Sequence, residues 1–259
     1  MQISALILTK NEEEVIEDCL KSIKDLANEI IILDQNSTDN TINIAKKYAD
    51  KVINTNFSEF DKNRNILKDS AKSKWLLYLD SDERLTEELR KEIVKVIKED
   101  KYSAFYIPRK NYVLGKNIKH GGWWPDYVPK LFKKEQLKGW IGVVHESPIF
   151  RGESVRLVNP IEHLTARSLN RMLEKTIKWA KIEAMLAYEA NHPQVNSARV
   201  TKVFIDEFIS RYLLKRGLLD GVQGLIQALF QSYHRSIMLV YLWEKQNNTE
   251  EKFNTIKNV

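Results

Sequence analysis

The run Trp75-Leu-Leu-Tyr-Leu-Asp-Ser-Asp-Glu83 constrains this chain more than any other stretch. An unbroken apolar run reads as a strand buried on both faces, as in a parallel sheet. Its two carboxylates, Asp80 and Asp82, then fall at the strand's carboxyl end, where open α/β sheets bind ligands. Hard oxygen ligands there suit Mg²⁺ or Mn²⁺ bridging to a diphosphate. The same residues would also serve as a solvated acidic turn capping a helix that starts near Thr86. The stretch alone leaves both readings open.

The first hundred residues repeat a strand–helix pattern. Ile3 to Thr9 is an apolar run, followed by Asn11 as helix N-cap, with Glu12, Glu13 and Glu14 at the positive end of the helix. Glu29 to Asp34 is a second buried strand ending in a carboxylate. Thr41 to Ala49 reads as a helix, Lys51 to Asn54 as a short strand and Phe60 to Ala71 as a polar helix carrying Arg64. Thr86 to Lys98 is amphipathic, with Leu89, Ile93, Val96 and Ile97 inward. Such units imply right-handed βαβ crossovers, hence an α/β fold with a parallel sheet. Asp34 and Asp80 would share one ligand-binding edge. Neither a Gly-x-Gly-x-x-Gly turn nor a P-loop occurs, which removes the main support for dinucleotide or P-loop chemistry.

From Tyr102 the texture changes to short strands. These are Ala104 to Arg109, a hairpin around Gly115, then Val128 to Lys133, Leu137 to Val144 and Val155 to Val158. The loop Gly121-Gly-Trp-Trp-Pro-Asp-Tyr127 could stack on sugar rings or close an aromatic mini-core. Ser168 caps a helix to about Asn191, with Leu169, Met172, Leu173, Ile177, Ala180 and Ala184 on one face. Thr201 to Gln246 is helical and broken near Gly217 to Gly221, and the tail beyond Asn247 is polar. These basic, aromatic helices suit a membrane interface, the chain's own domain or a second copy.

The formal charge of +6, from 41 Lys+Arg against 35 Asp+Glu, is a mild excess compatible with phosphate-bearing ligands. Basic residues are dispersed among acids, which argues against nucleic acid as a partner. Cys19 is the only cysteine, so no intramolecular disulfide forms, which fits a reducing cytosol. The amino terminus lacks signal-peptide regions, so the expected location is cytoplasmic, with room for peripheral contact on the inner membrane face.

Four motifs in series, Ile7-Leu-Thr-Lys-Asn-Glu12, Ile31-Ile-Leu-Asp-Gln-Asn-Ser-Thr-Asp39, Lys62-Asn-Arg-Asn65 and Leu79-Asp-Ser-Asp-Glu83, resemble the family 2 inverting glycosyltransferases. The implied fold is GT-A, a Rossmann-like, mostly parallel sheet flanked by helices. Trp140-Ile-Gly-Val-Val-His-Glu146, Ile161 to Ser168 and Tyr212 to Gly221 resemble a narrower branch, the glucosyltransferases of lipopolysaccharide core biosynthesis. The implied domains are a catalytic domain over 1–165, with donor part about 1–100 and acceptor part about 101–165, and a helical extension over 166–259.

The resemblance also implies roles. Thr9 and Glu12 would border the nucleoside, Asp34 would bond the uracil or ribose, Arg64 would hold the nucleotide and Asp80 would lie near the ribose. Asp82 would bind Mn²⁺ or Mg²⁺, with His163 as a further metal contact. Gln35 departs from the second Asp of many members. Inversion needs a base for the acceptor hydroxyl. Glu146 is the choice, with Asp126 in reserve, while His145 would orient Glu146 or touch the donor, and Trp123 and Trp124 would line the acceptor. The plainer alternatives are a surface salt bridge for Glu146 and a helix-cap role for His163.

The expected reaction moves a hexose, glucose first, from a UDP-sugar to a lipid-linked saccharide such as lipopolysaccharide core. Capsule, teichoic-acid or protein glycosylation, and a non-catalytic nucleotide-sugar scaffold, are the alternatives; homo-oligomerisation is left open.

Overall fold

A computed structural model describes residues 2–57, 59–142 and 146–247. His145 therefore lies outside the described residues, as does the tail beyond Asn247. In chain order the elements begin β1 (Ile3–Thr9), α1 (Ile16–Ile23), β2 (Glu29–Asp34), α2 (Thr41–Ala45), β3 (Lys51–Asn54) and α3 (Phe60–Ser70). β4 (Trp75–Asp80), β5 (Glu83–Leu85), α4 (Glu87–Glu99), β6 (Ala104–Val113), β7 (Lys116–Asn117) and β8 (Asp126–Lys133) follow. The chain continues through β9 (Leu137–Ile141), β10 (Ser147–Phe150), β11 (Ser154–Arg156) and β12 (Ile161–Ala166). It then turns helical as α5 (Leu169–Glu189), α6 (Ser197–Phe208) and α7 (Gly221–Gln246).

The chain divides into two compact units, one of Met1–Asn111 with Pro125–Thr165, the other of Tyr112–Trp124 with Ala166–Val259. Tyr112–Trp124 thus groups with the C-terminal helices.

In the first unit the sheet order is β3-β2-β1-β4-β8-β6-β12-β5, with β11 paired to β6; β7 pairs with Tyr112 and Val113 at the end of β6, within the second unit. The expected parallel portion is β3-β2-β1-β4. Beyond β4 the pairing turns antiparallel through β8 and β6. Both faces of β1 are covered, which is why it reads as a continuous apolar run. Ile3, Ala5 and Ile7 pack with Ile16, Leu20, Ile93 and other residues of α1 and α4. Leu6 and Leu8 pack on the opposite face with Leu67, Tyr78 and Trp140. Register pairs Thr9 with Asp34 and Leu8 with Asp80, so β1, β2 and β4 end together on one edge.

One local expectation is corrected. Asn11 is not an N-cap, since it is left-handed (φ 52°) and the helix begins at Ile16. Its Oδ1 instead accepts from the Thr38 backbone N at 2.8 Å, tying the β1 loop to the β2 loop. On α5 only Met172, Ala180 and Ala184 are buried; Leu169, Leu173 and Ile177 face solvent. Amphipathic spacing fixes which residues share a face but not whether anything covers it. Thr86 and Ser168 do cap their helices, accepting from the backbone N of Leu89 and Arg171.

The second unit packs α7 against both α5 and α6. Met172, Ile118, Val113 and Ala166 form one small core, joined by Trp123 and Phe230. Ala184, Val195, Leu239 and Leu242 form another. Glu183 and His234 meet at 3.2 Å between α5 and α7.

Candidate active site

Asp80, at the carboxyl end of β4, meets two cations. Lys130 Nζ on β8 donates to Asp80 Oδ2 at 2.8 Å, and Arg64 on α3 reaches Oδ1 at 3.3 Å. Lys130 also donates to Glu83 Oε2 at 2.7 Å, and the same oxygen accepts from the Asp80 backbone N. Lys130 and Glu83 are both buried. Such charges persist in an interior only when paired and hydrogen-bonded. Burial would raise the pKa of Asp80, but Lys130 and then Arg64 outweigh it and hold the carboxyl well below the usual carboxylate range. The pairing therefore contributes stability at neutral pH and loses it only as acid protonates Asp80.

Arg64 is shared. Its Nε donates to Glu146 Oε1 at 3.0 Å, while its guanidinium lies over Trp140 at 4.9 Å and over Tyr78 at 5.7 Å. The next residue, Asn65, clamps the Trp140 backbone from both sides, accepting from its N at 2.9 Å and donating to its O at 3.0 Å. One turn of α3 thus fixes β9 and aims Arg64 at two carboxylates 66 residues apart in sequence. Burial would lower the pKa of Arg64, but Asp80 and Glu146 raise it overall, keeping it a permanent cation.

Asp82 follows one residue beyond Ser81. β5 pairs antiparallel with β12, with His163 opposite Glu83, which carries the imidazole to the carboxylate end of β4. His163 Nε2 lies 3.6 Å from Asp82 Oδ2. The other ring nitrogen, Nδ1, is 2.7 Å from Asn111 Oδ1. Asn111 Nδ2 donates to Asp126 Oδ2 at 3.0 Å, and the same oxygen accepts from Arg109 Nε at 2.8 Å. Because the amide nitrogen is spent on Asp126, Oδ1 must accept, so Nδ1 of His163 carries the proton. That leaves Nε2 as the ring nitrogen turned toward Asp82. A histidine oriented in this way through its remote nitrogen is the usual arrangement for a metal ligand.

The residues expected to border the nucleoside lie at the ends of β1 and β2. Thr9 is buried, and its Oγ1 has no protein partner among the described residues. Asp34 is fully buried, with Oδ2 accepting from the Ser37 N at 2.7 Å and Oδ1 from the Ser37 Oγ at 2.6 Å. It shapes the turn after β2. Gln35 spends its amide on the Phe57 carbonyl at 3.1 Å. Glu12 is half-buried, and its carbonyl accepts from Val15 and Ile16 at the head of α1.

The sequence pattern of the domain described as Glycosyl transferase family 2 matches residues 4–159, more than half of the chain. The chain belongs to that family. It is a glycosyltransferase, and the α/β sheet with flanking helices is the GT-A arrangement that the motifs implied. An uncharacterized glycosyltransferase of Rickettsia bellii is 26% identical over 259 residues, covering 94% of this chain and 86% of the relative. One of Rickettsia conorii is 24% identical, over 94% of this chain and 90% of the relative. Among solved structures, S. aureus TarS 1-349 in complex with UDP is similar at 16% identity and TM-score 0.49, covering 97% of this chain and 92% of that one.

Within this family 2 transferase, Arg64, Asp80 and Glu146 come together, as do Asp82 and His163. Asp126 joins the second group through Asn111 rather than standing alone. Trp123 and Trp124 belong to the helical unit, the first half-buried in its core and the second exposed. Among the described residues no three His, Cys, Asp or Glu side chains form a metal-holding group. Asp82 and His163 do stand as a pair, with His163 Nε2 3.6 Å from Asp82 Oδ2. That suits a cation which keeps waters and takes substrate phosphates for the rest of its shell.

Lys130, Glu83, Arg109 and Asn111 were not foreseen as site residues. Lys130 had left a signal, a lone cation inside the apolar strand run Val128-Pro-Lys-Leu-Phe132. Such a residue demands a buried anion.

Proposed function

We propose that this glycosyltransferase is an inverting enzyme that moves a hexose, glucose first among them, from a UDP-sugar to a lipid-linked saccharide of the lipopolysaccharide-core kind. The observation that carries the donor site is the His163 imidazole, turned by Asn111 so that Nε2 faces Asp82 Oδ2 at 3.6 Å. Asp82 and His163 would hold Mn²⁺ or Mg²⁺. The ion would supply Lewis-acid neutralisation of the leaving diphosphate.

The remaining work falls to side chains. Thr9 offers a buried hydroxyl with an unused bonding site to the nucleoside. Asp34 braces the turn beside it, Glu12 borders it, and Asp80, neutralised by Lys130 and Arg64, faces the ribose with about a third of its side chain exposed. Arg64 can give part of its fork to the diphosphate while its stacking on Trp140 holds its position. Glu146 takes the acceptor hydroxyl's proton. The freed oxygen bonds to the anomeric carbon as the carbon–oxygen bond to the diphosphate breaks, and the electron pair leaves with UDP. Asp126 braces Asn111, Trp123 and Trp124 serve acceptor binding, and His145 orients Glu146 or touches the donor.

The lipid-linked acceptor and the lipopolysaccharide branch rest on the resemblance of Trp140 to Glu146 and Tyr212 to Gly221. They agree with a cytoplasmic enzyme that meets the membrane peripherally through its C-terminal helices. No described helix is long and apolar enough to cross a membrane.

Asp82→Ala is expected to remove the Mn²⁺ dependence of UDP binding while leaving the thermal melt unchanged. Calorimetric titration of UDP with and without Mn²⁺ reads this directly. An unchanged Mn²⁺ dependence in the variant would take the metal away from Asp82.

A further inference from the structure

The elbow between α6 and α7 exposes more aliphatic surface than any folding role accounts for. Helix α6 runs on as a π-helical turn over Ile209–Leu214, and a 3₁₀ turn over Gly217–Asp220 leads into α7. Along this short span Leu214 is 75% exposed, Val222 68% and Leu219 57%, with Leu213 and Leu218 also outward. Ile205, Ile209 and Leu213 recur every fourth residue and extend the stripe back along α6.

The elbow is held rigidly in this form. Gly217 lies where a Cβ would come within 2.7 Å of the Arg211 carbonyl, and a Cβ on Gly224 would fall 1.9 Å from the Gly217 carbonyl. The buried carboxylate of Asp220 accepts from the backbone N of Lys119 at 3.1 Å and of His120 at 2.7 Å, while Oδ1 lies 3.1 Å from His120 Nδ1. Lys116 Nζ donates to the Asp220 carbonyl, and Arg211 Nη1 to the Gly121 carbonyl at 3.0 Å. Glycines at close approaches and a fully satisfied buried aspartate fix the turn. The leucines are therefore presented outward by construction; they have no freedom to fold back.

The charge at the elbow selects the partner. Lys215 and Arg216 are exposed among the leucines, and Asp220, the one acid between Phe208 and Val222, is buried. Aliphatic side chains ringed by cations match the boundary between the acyl chains and headgroups of an anionic bilayer, with the long basic stems reaching back to the phosphates. A second copy would bring two such cationic tips together at a drying interface, which like charges oppose.

We infer that residues Leu213–Val222 form a preformed tip that inserts into the surface of an anionic phospholipid membrane. This deepens the proposed function, which has a lipid-borne acceptor and rests on that reading for its purpose. The test needs no donor or turnover, so its failure and that of sugar transfer are told apart.

The full chain is mixed with vesicles of phosphatidylcholine alone or with one-third phosphatidylglycerol, and sedimentation is measured. The wild type is expected to partition onto the anionic vesicles, and to release them as salt rises. Leu214→Glu with Leu219→Glu should weaken partition at least about tenfold, since apolar burial drives insertion. Lys215→Gln with Arg216→Gln should weaken it on anionic vesicles only. A milder pair, Leu218→Ser with Val222→Ser, repeats the test should the glutamates disturb folding. Failure of the wild type to bind anionic vesicles would overturn the inference, as would binding indifferent to the leucine variants. Self-association abolished by Leu214→Glu with Leu219→Glu would also overturn it, making a second copy the partner.

Discussion

Glu146→Gln is expected to keep donor affinity within a few-fold and to cut sugar transfer by about 10²–10⁴, the usual reach of a general base. The amide preserves the size of the side chain but cannot take the acceptor proton. The ion pair with Arg64 Nε at 3.0 Å makes this an informative test. Were Glu146 only a structural partner of Arg64, the variant would retain near-normal turnover and the base would move to Asp126. Asp126 is poorly placed for that work, because its Oδ2 already accepts from Arg109 and Asn111. Steady-state transfer, paired with UDP titration, separates lost chemistry from lost binding.

Lys130→Met is the second large effect. It removes the cation shared by Asp80 and Glu83, of which Glu83 has no solvent exposure. Breaking one side of a buried ion cluster strands the other charges, which costs about 3–5 kcal/mol. Adding Glu83→Gln should restore part of the loss, because one stranded carboxylate is then neutral. Denaturant unfolding of the single and double variants measures both. A single variant within about 1 kcal/mol of wild type, the range of an exposed pair, would show that the cluster is effectively solvated.

Much of the first unit was legible because its signals are local. β1, β2 and β4 are apolar runs ending in Thr9, Asp34 and Asp80, and their bounds match the expected strands. In the second unit Ser168 announced its helix by capping chemistry. What escaped was long-range or depended on what covers a face. Nothing near Lys130 says that Glu83, 47 residues earlier, will receive it. Asn111 gains its function only when β12 brings His163 within 2.7 Å. Asn11 has the composition of a cap, but the pairing of its loop with Thr38 overrides the local preference. Leu169, Leu173 and Ile177 keep helical spacing yet remain exposed, since periodicity carries no information on partners. The motifs therefore lie along the edge where β1, β2 and β4 end together, while tertiary contacts decided which cations meet its carboxylates.

The central claim is that Asp80, Asp82, His163, Arg64 and Glu146 together form a divalent-cation-dependent UDP-sugar site. The most direct measurement is UDP release from a panel of nucleotide sugars by the wild-type chain, with saccharide acceptors, in Mn²⁺, in Mg²⁺ and in chelator. Release from a UDP-hexose that requires the divalent ion is the expected result. Equal release in chelator, or release confined to a sugar carried on another nucleotide, would contradict it.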